Sequence, residues 1–234
     1  MDTERRGARA SSRGIMGSIG SNLQEVKRRI ETACAAAGRD AQSVTLLAVS
    51  KTFPADAVRQ AHAAGQRAFG ENYVQEALAK QQELADLALE WHFIGPLQSN
   101  KCHLVAKHFD WLQSLDREKL IAPLNFHRPV DAAPLMVLIE VNIDNIATKS
   151  GCTPDAVCTL AKHIATVPRL VLRGLMALPE PHPEINRRRD AFRRMRKLFE
   201  IYRKQFTTEM TVVSQYRANL AIWILSLIME LLGR

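Results

Sequence analysis

Six short apolar runs, each followed within a few residues by a helix-like segment, constrain the fold of this chain more than any other feature. Residues 44–50 precede a helix opening at Pro54, and 67–70 precede a helix over 74–87. Residues 91–94 lead through Pro96 into a helix at 100–107, and 110–114 precede a helix at 117–125. The long run 135–143 is followed by a loop and a helix at 154–166, and 170–177 precedes a basic helix. Runs of this kind read as strands covered on both faces, and their repetition with short connections predicts a parallel sheet. An opening helix over 22–37 stands before them. With 234 residues and 47% hydrophobic content, a single α/β unit of the (β/α)8 TIM-barrel type fits the length. No linker rich in Gly, Ser or Pro divides it, and no repeat recurs at solenoid spacing. Six units are legible where a complete barrel needs eight, so the last two belong to the residues after 206.

The chain therefore divides into a disordered basic extension at 1–16, a β/α barrel at 17–206 and a C-terminal segment at 207–234. The first fifteen residues carry Arg5, Arg6, Arg9 and Arg13 without the apolar core of a secretory signal, and Asp2 and Glu4 argue against a transit peptide. A translation start upstream of Met16 is the simpler reading.

The formal charge is +8, and its location decides what it means. Between Arg187 and Lys204 stand nine basic and two acidic residues, with Phe192, Met195, Phe199 and Tyr202 at helical spacing among them. That pattern predicts an amphipathic outer helix with a solvated basic face, and no recognition motif accompanies it to support specific nucleic-acid binding. Cys34, Cys102, Cys152 and Cys158 include no C-x-x-C pair and no compact Cys/His set. They read as reduced thiols of a cytoplasmic protein, with no metal site.

The run 44–50 ends in Ala48-Val49-Ser50-Lys51, and the chain then turns at once into Pro54-Ala55-Asp56. Proline suits a first helical turn, aspartate suits the positive helix end, and Gly65 supplies a left-handed stop. Lys51 thus sits where a strand gives way to a helix, at the mouth where α/β folds bind ligands. An amine partly withdrawn from water there can form an imine, although a strand-end lysine that only snorkels to solvent satisfies the same spacing.

Lys51 is followed by Phe69-Gly70-Glu71-Asn72-Tyr73-Val74-Gln75-Glu76 and then by Trp91-His92-Phe93-Ile94-Gly95-Pro96-Leu97-Gln98-Ser99-Asn100-Lys101. Lys149-Ser150-Gly151 and Arg173-Gly174-Leu175-Met176-Ala177 come later. In this order the segments resemble the pyridoxal phosphate (PLP) homeostasis protein family, formerly called proline synthetase co-transcribed homologue. The resemblance runs from about Asn22 to about Phe206, nearly four fifths of the chain. It implies a barrel like the N-terminal domain of alanine racemase, with pyridoxal 5'-phosphate held as an imine on Lys51. It also implies that Asn72 faces the cofactor, donating to its phenolate oxygen or holding Lys51, where the bland reading is a helix cap. Gly70 either admits close backbone approach or merely ends its strand. His92 and Met176 stand on strands and read as core residues without catalytic roles, and Lys149 reads as an exposed loop lysine.

The resemblance fails after Phe206. Family members carry a Ser-Met-Gly-Met-Ser-like seventh strand and an Arg-Ile-Gly-Thr-like eighth, whereas this chain reads Thr207-Thr208-Glu209-Met210-Thr211-Val212-Val213-Ser214 and then an apolar stretch. Residues 211–214 are compatible with a seventh strand. The stretch 221–232, interrupted by Ser226 and Glu230, is too short to span a bilayer. A closing helix, an exposed liability and an altered reading frame all remain open for it. The phosphate loops of such barrels commonly follow the last two strands, so no phosphate residue is assigned. The resemblance implies a monomeric PLP carrier that hands its cofactor to PLP-dependent apoenzymes without turning over a substrate. The alternatives are a racemase-like PLP enzyme, for which the chain length leaves no second domain, and a truncated family member with impaired PLP binding.

Overall fold

The computed structural model of the chain describes residues 18–209, with side chains through residue 204. The basic extension 1–16, the candidate strand at 211–214 and the apolar stretch at 221–232 lie outside the described residues. Helix α1 (Ile19–Ala36) opens the fold, its first turn capped by Ser18, whose Oγ accepts from Ser21 N at 3.2 Å. Six β/α units follow: β1 (Ala48–Val49) and α2 (Ala55–Ala63), β2 (Ala68–Glu71) and α3 (Val74–Glu83), β3 (Glu90–Phe93) and α4 (Cys102–His108). The remaining three are β4 (Trp111–Leu115) and α5 (Ile121–His127), β5 (Leu135–Glu140) and α6 (Val157–Ala165), and β6 (Leu170–Met176) and α7 (Ile185–Glu209). Helices α4, α5 and α6 each begin with a single 3-10 turn. Helix α2 stops as its sequence predicts, with Gly65 at φ +90°, a conformation glycine adopts without strain.

All neighbouring strands pair in parallel and in sequential order, β1 to β6. This is the winding of a TIM-type barrel, and among the described residues β1 and β6 form the two edges. Every residue of β2 is buried, as a strand covered on both faces requires. The first strand is much shorter than the run 44–50 from which it was predicted. The Leu46 carbonyl accepts from the Gln66 side-chain Nε2 at 2.8 Å, so a side chain replaces the ladder there. Strand β5 also ends early, at Glu140 rather than residue 143. Beyond it Cys152 N donates to Glu140 O and Asn142 N donates to Cys152 O, each at 2.9 Å, so the loop folds back on the strand end. In β6 the register slips by one residue between its pairing with Val137 and with Leu138.

The core lies between the sheet and its helices, with Phe93, Leu112, Leu124, Val137 and Ile164 all buried. Each such side chain contributes roughly 1.5–3 kcal/mol through burial. Helix α7 docks as its pattern predicts: Ala191 and Met195 are buried, and Tyr202 donates its hydroxyl to Pro154 O at 3.1 Å. All four cysteines are free thiols, and three are buried. Among the described residues no helix is long and apolar enough to cross a membrane.

Candidate functional site

The carboxyl ends of β1, β2, β3, β5 and β6 border one cavity of about 830 Å³. Lys51 enters it from a tight turn. Ser50 N extends the ladder by donating to Gly70 O at 2.9 Å, and Phe53 N closes the turn by donating to Ser50 O at 3.1 Å. Thr52 completes the turn at φ +65°, a left-handed position that glycine usually fills. Chain direction therefore reverses sharply at Lys51, a half-buried residue whose amine makes no hydrogen bond or ion pair among the described residues.

The turn is held from below by a buried polar cluster. Lys80, reaching in from α3, donates to Ser50 O at 2.7 Å and pairs with Glu71 Oε1 at 2.6 Å. Ser50 Oγ donates to the same carboxylate oxygen at 2.6 Å. Glu71 is wholly buried, and its second oxygen has no partner among the described residues. The cluster thus ties together the ends of β1, β2 and α3, immediately before Lys51 and Asn72 in the sequence.

Asn72 lines the cavity with Lys51. Helix α3 begins at Tyr73 without a side-chain cap, so Asn72 does not spend its amide on capping. Its Oδ1 is buried and has no partner among the described residues, which leaves a polar atom for a ligand. Gly70 has a packing role instead: a Cβ there would meet Ile94 at 3.0 Å and Leu47 at 3.3 Å. His92 is a buried core histidine, stacked on Trp111 and hydrogen-bonded to Glu90 at 2.6 Å and Gln113 at 2.9 Å. Met176 is buried and forms part of the cavity wall. Lys149 departs from expectation, being half-buried on the cavity wall with its amine donating to Leu178 O at 3.2 Å. Burial of the returning 142–152 loop against the end of β5 draws it inward.

Two charged lining residues escaped the sequence reading. Arg188 was counted with the solvated basic face of α7, yet it lines the cavity. Glu140, the only charged residue in the apolar run 135–143, ends β5 at the cavity. Burial, reinforced by the nearby Asp116 carboxylate, pushes its carboxyl from an ordinary 4.5 up to about 7. The fold therefore favours the protonated form. The stability it contributes is full below pH 4.5, declines as pH rises towards 7, and is absent above that. Wild type is expected to lose about 2–3 kcal/mol more than Glu140→Gln across this window. Urea unfolding at a series of pH values measures the difference, and parallel profiles would refute the assignment.

Comparisons with known proteins bear on the family and the fold. The alanine racemase N-terminal domain family matches residues 21–215. The chain is 54% identical over 185 residues to a pyridoxal phosphate homeostasis protein of Haemophilus influenzae, covering 78% of each. It is 54% identical over 183 residues to one of Pseudomonas aeruginosa, covering 78% of this chain and 80% of that one. Among solved structures, PipY of Synechococcus elongatus with PLP bound matches with a TM-score of 0.65 and 33% identity, over 75% of this chain and 82% of that one. Alanine racemase of Corynebacterium glutamicum shares the fold, with a TM-score of 0.57 at 19% identity over 80% of this chain and half of that one. Sequence and fold together show that the chain belongs to the pyridoxal phosphate homeostasis protein family, built on the alanine racemase N-terminal domain.

Proposed function

We propose that this protein binds pyridoxal 5'-phosphate in the strand-end cavity and serves PLP homeostasis in the cytoplasm as a carrier, without substrate turnover. The observation that carries this reading is the placement of an unengaged Lys51 amine and the unpartnered Asn72 amide on one cavity wall. The lining fits the group. Lys51 offers an amine to its aldehyde, and Val49, Ile94 and Met176 offer apolar surface to its ring. Asn72 offers its amide to the ring oxygen, since amide O and N are interchangeable by a flip. The cofactor itself supplies an aldehyde and an electron-accepting ring. PipY was solved with and without PLP, which supports a site that both takes up and releases it.

The similar curated proteins are named for PLP homeostasis and not for an amino-acid reaction, which favours a carrier over an enzyme. The recipients we propose are PLP-dependent apoenzymes. Incubation with PLP, borohydride reduction and peptide mapping tests the site. The label is expected on Lys51 and should vanish in Lys51→Ala. A label on Lys149 or Lys101 with none on Lys51 would sink the assignment. Racemisation, transamination or decarboxylation of amino acids by the PLP-loaded protein, lost in Lys51→Ala, would replace the carrier with an enzyme.

A further inference from the structure

Three consecutive arginines, Arg187 to Arg189, stand in the first turns of helix α7, and the structure treats them differently. Arg187 pairs with Glu184 at 3.5 Å. About two turns later, Arg194 takes Asp190 at 3.0 Å and Asp144 at 2.7 Å. The acids around the start of the helix are thereby committed to other guanidinium groups. Arg188 instead lines the cavity that holds Lys51, and its Nε is buried without a hydrogen-bond partner among the described residues. A buried, unpartnered donor on a guanidinium costs stability unless something fills its place.

The charges along the cavity wall indicate what that something is. Among the described residues, Lys51, Lys149 and Arg188 line it against the one carboxyl of Glu140. Glu140 is pushed towards neutrality by its burial and so offers Arg188 little compensation. Lys149 already donates to a backbone carbonyl, and Lys51 is committed to the aldehyde in the reading above. His182, also on the wall, accepts from Glu184 N through Nδ1 at 3.0 Å, so its neutral ring carries the proton on Nε2 as a second donor. A guanidinium fork with an available N–H suits the paired oxygens of a phosphate.

We propose that Arg188 anchors the phosphate of the bound cofactor, an anion site supplied by α7. This rests on the PLP-binding reading and extends it to the end of the molecule for which the sequence names no residue. The site requires the phosphate monoester and gains nothing from the ring, so the two ends of the cofactor are separable by choice of ligand.

The test is spectroscopic titration of wild type, Arg188→Gln and Arg188→Lys with PLP and with pyridoxal, which lacks the phosphate. Thermal unfolding of each variant checks the fold. Arg188→Gln is expected to weaken PLP about 10- to 100-fold and to leave pyridoxal within about twofold. Arg188→Lys should recover part of the loss, because it restores charge without the fork. Inorganic phosphate should compete with PLP in wild type and much less in Arg188→Gln. Equal weakening of both ligands, or unchanged PLP affinity, would overturn the anchor while leaving PLP binding intact. Wild-type protein that takes up neither ligand would overturn the anchor together with the binding reading.

Discussion

Lys80→Ala is expected to destabilise the protein by about 3–5 kcal/mol, the largest loss of any substitution near the site. Removing the ammonium leaves the Glu71 carboxylate buried and without its cation, and it orphans one lone pair of Ser50 O. The loss should therefore exceed what the truncated aliphatic stem alone would cost. Replacing both partners, as Lys80→Met with Glu71→Gln, should recover much of it, because the stranded charge is gone. Stability and function should then separate. The double variant keeps its fold but no longer fixes the Ser50 carbonyl from which the Lys51 turn hangs, so PLP uptake should stay weakened. Urea unfolding and PLP titration of the single and double variants measure both effects. A single variant within about 1 kcal/mol of wild type would mean that the ion pair is dispensable.

Gly95→Ala is expected to disrupt the site through the Asn72 backbone against which it packs. A Cβ at this position would lie 2.3 Å from the Asn72 carbonyl oxygen and 2.8 Å from its Cα. These are backbone atoms, so no rotamer change relieves the overlap. The loop cannot simply retreat, because Ser114 Oγ holds the Gly95 carbonyl from the neighbouring strand at 2.5 Å. A stability loss of about 3 kcal/mol is expected. Displacement of Asn72 should weaken PLP binding at least tenfold, even under conditions where the variant remains folded. Circular dichroism melts and PLP titration check both. Wild-type behaviour in the two measurements would show that the 94–97 loop relaxes freely.

Much of the architecture was legible in the chain because strands and helices here are written in local patterns. The apolar runs, the punctuation at Pro54 and Gly65, and the stripe through Met195 and Tyr202 each follow from backbone sterics and burial within one element. They placed six β/α units in order, and the position of Lys51 at a strand end followed from the same rule. Periodicity failed where a backbone group found a partner far away in sequence. Gln66 took the Leu46 carbonyl and shortened β1, and the Cys152 backbone caught the end of β5 and stopped it at Glu140.

The family strings of the sequence singled out Lys51 and Asn72, since the residues themselves left a snorkelling lysine and a helix cap open. Only the tertiary structure decided which polar groups share the cavity and which of them lack partners. Arg188 looked like one more charge on a basic helix face, and Glu140 like an interruption in an apolar strand. Glu71 and Lys80 are nine residues apart and on different elements. Desolvation and hydrogen-bond satisfaction depend on what packs around a group from every side. Such surroundings are assembled from segments distant in the chain, which is why the sequence alone determined the scaffold and the position of its lysine, and the fold determined the electrostatics around it.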